Sequence, residues 1–246
     1  MKNRILSTLT ACTIVAGTLM SAPTASAETH YKPHVAIGGH AGMTLSRMSF
    51  SPSVPQGWAS GVTMGVQASY SEERLVGVVG ELNFSQHGWK EQFDDNPGLS
   101  YKRTLNYIEL PVMTHIYFGP SRCKFFFNLG PQFGYMVSNS ISANFDYTDP
   151  AAAGIASTRR VNQMKMEVEH KFDYGIAAGF GVEWWAAPRH SVYVEGRFYY
   201  GLGNIYNSSK ADEFSASRSM SIYVTAGYNF RLKGKTGRKR PAQCKG

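Results

Sequence analysis

The sequence predicts an all-β fold: an eight-stranded antiparallel, up-and-down transmembrane β-barrel with periplasmic termini and some strands projecting beyond the membrane. Three observations predict it. Bulky apolar residues alternate with small or polar ones through eight segments, which is the two-residue period of a strand. The links between those segments alternate short and long. The composition is rich in Gly (25) and aromatics (14 Tyr, 14 Phe, 4 Trp), with only 17% charged residues among 246, below the roughly 25% of ordinary soluble domains.

The N-terminus reads as an export signal. Lys2 and Arg4 precede an apolar stretch, Ile5 to Met20, that ends in Ala25-Ser26-Ala27. This is the charged, apolar and small-x-small order of a secretory signal, with cleavage expected after Ala27. The expected division is a signal at 1–27, a barrel at 28–232 and a basic tail at 233–246. A competing reading takes Leu9-Thr10-Ala11-Cys12 as a lipoprotein box, which would leave Cys12 at a lipidated N-terminus.

The eight strands follow in order. Val35, Ile37, Ala41, Met43 and Leu45 share one face of the first, opposite His34, His40 and Thr44. Trp58, Val62, Met64, Val66 and Tyr70 share a face of the second. Val76, Val78, Leu82 and Phe84 do so in the third, opposite Glu81 and Asn83. Ile108, Leu110, Val112, Ile116 and Phe118 face away from Tyr107, Glu109 and His115 in the fourth. The fifth carries Phe125, Phe127, Leu129, Phe133, Tyr135 and Val137. The sixth sets Phe172, Tyr174, Ile176, Phe180, Val182 and Trp184 against Asp173, three Gly and Glu183. The seventh sets Val192, Val194, Phe198, Tyr200 and Leu202 against Tyr193, Glu195, Arg197 and Tyr199. The eighth sets Met220, Ile222, Val224, Ala226, Tyr228 and Phe230 against Ser221, Tyr223, Thr225 and Arg231.

Volume decides which face is inside. An eight-stranded barrel has an interior just wide enough for side chains to fill, and eight ranks of large apolar groups exceed it. The small and ionic rank is therefore enclosed. The bulky rank faces outward, and no segment has the apolar spacing of a covering helix, so its partner is outer-membrane lipid. Short links at Ser71–Arg74, Gly119–Lys124 and Ala186–Ser191, with longer ones at Arg47–Gly57, Gly88–Ser100, about 138–171 and Gly203–Ser219, match the turns and loops of such barrels. Outward parity is expected to continue through Ile141, Ala143, Phe145 and Tyr147. It resumes through Met164, Met166 and Val168, as strands projecting beyond the bilayer and closed near Asp149-Pro150-Ala151.

Charge narrows the partners. The formal charge is +8, but eight of the 25 Lys and Arg lie in the first four and last fourteen residues, leaving 17 against 17 acids. A neutral body does not support a nucleic-acid surface. Three Cys without metal-ligand spacing suggest no zinc, and no cofactor is expected.

The lumenal face collects Glu81, Glu109, Glu183, Glu195, Arg197, Arg231, His40 and His115. Glu81 with Glu109, and Glu183 with Glu195, are expected at matching heights. Paired carboxylates can do acid–base work, but enclosed charges must be paired, and a structural polar network is the favoured reading. Tyr107, Tyr193, Tyr199 and Tyr223 are expected to plug the interior. A rim-sited hydrolase or acyltransferase would draw on His87 with Asp94 or Asp95. Cys123 in a turn and Cys244 in the tail lie on one side of the membrane, within reach of a disulfide.

The ordered segments Asn106-Tyr107-Ile108-Glu109-Leu110-Pro111, Ile116-Tyr117-Phe118-Gly119, Gly130-Pro131-Gln132-Phe133-Gly134-Tyr135 and Arg197-Phe198-Tyr199-Tyr200-Gly201-Leu202-Gly203-Asn204-Ile205, with Gly38-Gly39-His40-Ala41-Gly42-Met43 before them, resemble the PorT-like family of outer-membrane barrels. The resemblance covers about Val35 to Leu232. It implies an eight-stranded outer-membrane barrel and, from the name-giving member, a part in type IX secretion. The basic tail departs from the usual ending near a terminal aromatic. The expected function is thus a monomeric, non-enzymatic docking barrel, with secretion-machinery proteins as possible partners. A surface adhesin built on the projecting strands is the alternative, ahead of the rim enzyme.

Overall fold

The computed structural model describes residues 33–71, 75–93, 96–119, 122–149, 152, 154–155, 161–206 and 215–232. All belong to the unit Lys32–Gly246. The expected signal, Cys12, the cleavage site after Ala27 and the basic tail with Cys244 lie outside the described residues.

Eight long strands form the wall: β1 (His34–Ser51), β3 (Ala59–Ser71), β4 (Val76–Glu91), β5 (Tyr101–Phe118), β6 (Cys123–Ala143), β7 (Phe172–Ala187), β8 (His190–Gly201) and β9 (Ala216–Arg231). A two-residue strand, β2 (Gln56–Gly57), pairs with the end of β4. Every long strand lies antiparallel to its sequence neighbour, and β1 pairs with β9 from Ala36↔Arg231 to Ser51↔Ala216. That last pairing closes the sheet into a ring. A closed ring leaves no edge along the paired length, so its backbone groups pair within the sheet.

Parity is as the alternation demands. The bulky rank points outward; Met43 and Val66 are each 60% exposed and Trp184 64%. The small and ionic rank is buried. Two glycines show how the inward rank was thinned to fit. A Cβ on Gly227 would lie 2.4 Å from the Tyr193 ring, and one on Gly179 would lie 2.2 Å from Glu195 Oε1. Gly therefore stands beside each of these two large lumenal groups.

The strands run further toward the long-loop end than the sequence suggested. β1 extends through Ser51 and β4 through Glu91, into stretches expected as loops, while β5 begins at Tyr101, where the expected loop ends. In these extensions the inward residues become apolar. Met48, Phe50, Trp89, Leu105, Tyr107, Met136, Val168, Ile205 and Tyr206 form one buried cluster across the mouth. Phe50 meets Trp89 edge-on at 5.6 Å and stacks on Tyr206 at 6.1 Å. Met48, Phe50, Trp89, Ile205 and Tyr206, all within stretches expected as loops, are thus part of the cap of the barrel.

Two expectations about this end are corrected. A bulge between Asn106 and Tyr107 sets Tyr107 opposite Met136 and Asn106 opposite Ser138, adding one residue to β6. An added residue inverts the facing of everything after it. Ile141 and Ala143 therefore pair with inward-facing Arg103 and Tyr101. Together with Phe145 and Tyr147 they pack on Phe93, Tyr101, Ile155 and Met164, rather than facing outward. Met164, Met166 and Val168 do not form a strand either. Asn162–Lys165 is a single helical turn, α1, with Met164 fully buried and Met166 in extended conformation. The expected turn begins at Asp149; Pro150 and Ala151 lie outside the described residues.

Candidate functional site

The lumenal polar groups separate into three sets along the barrel. In the first, Arg197 from β8 sits between Glu81 of β4 and Glu195 of its own strand. Its Nη1 and Nη2 donate to Glu81 Oε2 and Oε1 at 2.8 and 2.6 Å. Its Nε and Nη2 donate to Glu195 Oε1 and Oε2 at 3.0 and 2.9 Å. A guanidinium fork matches two carboxylates in this planar way, which an ammonium could not. Asn83 Nδ2 donates to Glu81 at 2.8 Å and Asn128 Nδ2 to Glu195 at 3.0 Å. His40 Nε2 stands 3.9 Å from Glu81.

The second set lies nearer the long-loop end. His87 Nε2 is 2.7 Å from Glu109 Oε1, and its Nδ1 is 2.8 Å from Ser221 Oγ. The Tyr223 hydroxyl donates to the Glu109 carboxylate at 3.0 and 3.2 Å and accepts from Gln132 Nε2 at 3.0 Å. Serine, imidazole and carboxylate in sequence is the order of a hydrolytic triad. Here Ser221 has no exposed surface, and His87 and Glu109 are 4% and 3% exposed.

The third set serves the terminus end. Glu183 Oε1 accepts from Ser191 Oγ at 2.7 Å and Asn229 Nδ2 at 3.3 Å. Gln67 Nε2 donates to Asn229 Oδ1 at 2.6 Å and accepts, through Oε1, from the Tyr193 hydroxyl at 2.8 Å. A cavity of about 10 Å³ lies among Gln67, His115, Asn128, Glu183, Tyr193 and Asn229, room for about one water molecule.

Seven of the eight expected residues are thus buried in the lumen. Their pairing differs from the sequence reading. Glu81 partners Glu195 through Arg197, because β4 and β8 face each other across the ring. Glu109 partners His87, and its register neighbour on β4 is Asn83, not Glu81. His115 lies between rings, stacked on Phe126 at 4.8 Å and against Tyr117 at 4.0 Å. Arg231 stands apart at the terminus mouth, 3.9 Å over the Trp185 ring. His87 is corrected most: β4 continues to Glu91, which carries His87 into the lumen and away from the rim. Asp94 and Asp95 lie outside the described residues.

The cap above these sets is pinned by polar bonds as well. Arg103 Nη1 donates to Met166 O at 2.6 Å and to the Tyr206 hydroxyl at 3.2 Å. The Tyr101 hydroxyl donates to Met164 O at 3.0 Å, and Tyr206 to Gln163 O at 3.1 Å. Trp89 Nε1 and Gln163 Nε2 both donate to Glu91 Oε1 at 3.2 Å. Burial pushes the Tyr206 hydroxyl up to about 12. At the exposed tip, Asp146 is held below the usual carboxylate range by the hydroxyl and N–H of Thr148, at 2.6 and 2.9 Å. Nothing in the sequence marked Glu91, Arg103 or Tyr206 as a group, since they come from three separate segments.

Among the described residues no three His, Cys, Asp or Glu side chains converge as metal ligands, and no helix is long and apolar enough to cross a membrane. Cys123 is half-buried, and Cys244, its expected disulfide partner, lies outside the described residues.

The solved structures similar to this chain include natural and designed β-barrels. Neisserial surface protein A is 14% identical with a TM-score of 0.41, over 80% of this chain and 97% of that one. OprG from Pseudomonas aeruginosa is 12% identical, TM-score 0.48, over 82% and 96%. Ail of Yersinia pestis, in complex with the heparin analogue sucrose octasulfate, is 11% identical, TM-score 0.40, over 81% and 100%. No curated protein matches. The profile of the outer membrane protein beta-barrel domain matches residues 26–207, nearly three-quarters of the chain and seven of its eight long strands. A closed antiparallel ring with a bulky apolar exterior, an ionic lumen and this match together place the protein in lipid, in the bacterial outer membrane. The chain belongs to the outer membrane protein beta-barrel domain family.

Proposed function

We propose that this barrel is a non-enzymatic docking protein whose long-loop end receives a partner. One observation carries the reading: among the described residues the lumen is occupied by ion clusters and an aromatic cap, which favours a use at its rims rather than along its axis. The triad-like order of Ser221, His87 and Glu109 is read as structural, because a nucleophile without exposed surface offers no approach to a substrate carbonyl.

The termini are assigned to the periplasm, with cleavage after Ala27, and the barrel is taken as a monomer. The strand extensions then project on the cell surface. β7 begins opposite Tyr135, so among the described residues Val137–Ala143 of β6 has a strand neighbour on the β5 side alone. An edge of this kind accepts an added strand, which favours the adhesin form of the docking reading. Deleting Ile141 to Val168 tests it. Loss of binding to cells or matrix with the barrel still folded supports surface docking, and undiminished binding rejects it.

The PorT-like resemblance supports a second form, an accessory role in type IX secretion. Deleting the gene separates the two. Lost secretion of cargo favours the accessory role, and normal secretion removes it.

A further inference from the structure

The water-sized cavity at the terminus end is walled by amides whose orientation their neighbours fix. Asn128 Nδ2 donates to Glu195 Oε1 at 3.0 Å. A carboxylate only accepts, so Asn128 Oδ1 is the atom turned away from Glu195. Asn229 Nδ2 donates to Glu183 Oε1 at 3.3 Å, and its Oδ1 accepts from Gln67 Nε2 at 2.6 Å. Gln67 Oε1 accepts in turn from the Tyr193 hydroxyl at 2.8 Å. Each of these amide nitrogens is aimed at an acceptor of the wall.

Two acceptors are left over. Glu183 Oε2 and Asn128 Oδ1 are buried without a hydrogen-bond donor among the described residues, on side chains of residues 3% and 2% exposed. His115 stands opposite Asn128 in the β5–β6 register. Its two ring nitrogens are also buried without a partner, and a neutral imidazole offers one of them as a further acceptor. All three residues line the same cavity. What completes it brings hydrogens or positive charge.

Charge decides between those two. Among the described residues no Lys, Arg or His lies within ion-pair distance of Glu183. Lys124, its register neighbour on β6, carries its ammonium 4.9 Å over the Tyr117 ring instead. Arg197 is already shared by Glu81 and Glu195, and His40 stands with Glu81. A buried carboxylate without a counter-charge is costly, and a water molecule does not supply that charge. The ligand set also fixes the class of ion. One free carboxylate oxygen with a neutral amide oxygen offers a single negative charge, and three His, Cys, Asp or Glu do not converge among the described residues. Zinc and calcium sites draw on more ligands of those kinds, whereas neutral carbonyl oxygens coordinate alkali ions.

We propose that this cavity binds one monovalent alkali cation, held by Glu183 Oε2 of β7 and Asn128 Oδ1 of β6 beside His115. The ion neutralises Glu183 and joins its carboxylate to the hydrogen-bonded set around Glu195. It therefore stabilises the folded barrel alone, since the unfolded chain does not assemble these atoms.

Two measurements on the full chain test this. Crystals of the wild type soaked in thallium(I), as a heavy substitute for potassium, are expected to show an anomalous difference peak between Glu183 and Asn128. Urea unfolding in detergent micelles is then followed as potassium chloride replaces choline chloride at constant ionic strength, which holds screening fixed. Once potassium exceeds its dissociation constant, each tenfold rise should lower the unfolding equilibrium constant about tenfold. Glu183→Gln is expected to abolish both the peak and the potassium dependence. Glu109→Gln, in the set nearer the long-loop end, should keep the dependence, and its loss there would assign the effect to lumenal charge at large and overturn the site. The thallium peak needs no variant, so it gives a reading even where Glu183→Gln does not fold. An ordered water in the wild-type cavity with no anomalous peak overturns the proposal, as does a potassium dependence undiminished in folded Glu183→Gln. None of these results bears on docking at the opposite end.

Discussion

Arg197 of β8 holds both carboxylate oxygens of Glu81 on β4, at 2.8 and 2.6 Å, so one side chain ties together two strands that share no backbone hydrogen bond. The same guanidinium neutralises Glu195. Removing one partner of a buried ionic set costs more than the set contributes, because the remaining charge keeps its desolvation penalty. Arg197→Met is expected to destabilise the barrel by about 3–5 kcal/mol, measured from urea unfolding in detergent micelles. Adding Glu81→Gln and Glu195→Gln should recover most of the loss. A single variant as stable as the wild type would contradict the pairing.

Gly227 and Tyr193 test the fit of the interior. With the Tyr193 ring 2.4 Å from where a Cβ would sit, Gly227→Ala is expected to cost about 1–3 kcal/mol through overpacking. Tyr193→Leu in the same chain should relieve part of it. Additive losses in the double mutant would show that the two residues do not compete for space.

The cap has a pH limit set by Tyr206. Its hydroxyl is raised from 10 to about 12 by burial, so its neutral form is favoured in the folded cap. Stability from that difference is fully present below pH 10 and lost as pH rises through about 12. The ultraviolet phenolate signal lost on Tyr206→Phe substitution should titrate near 12, with proteolysis between 161 and 170 increasing over the same interval. A missing signal that titrates at 10 would place Tyr206 in water.

The outer face is tested by charge. Val66 lies near the middle of β3 and is 60% exposed. Val66→Arg should cost about 2–4 kcal/mol in vesicles, as a cation at the bilayer midplane does. Trp58→Arg, near the strand end, should cost under about 1 kcal/mol. Equal costs would remove the depth dependence that lipid imposes.

The barrel was legible in the sequence because a two-residue period needs no tertiary information. Once volume assigns the bulky rank outward, Glu81, Glu109, Glu183, Glu195, Arg197, His40 and His115 follow into the lumen. Their partners did not follow. Which groups meet across a ring depends on strand stagger, and local spacing paired Glu81 with Glu109 where the ring pairs it with Glu195. The cap escaped for another reason. Met48, Phe50 and Trp89 are large inward residues, and the rule that large means outward holds only where the inside is already full of ions. At the mouth the lumen ends, and apolar groups seal it. The bulge at Asn106/Tyr107 left no mark in composition, yet that one added residue reversed the facing of Ile141 and Ala143.

Oxygen accessibility of nitroxide labels along β3 tests the central claim most directly. Single cysteines would replace each of Val62 to Ala68 in a Cys123→Ser/Cys244→Ser background, reconstituted in lipid vesicles. Collision with dissolved oxygen is expected to peak at Val62, Met64, Val66 and Ala68 and to fall at Thr63, Gly65 and Gln67. A flat profile, or one that peaks at Thr63, Gly65 and Gln67, would show that hydrocarbon does not touch the bulky rank.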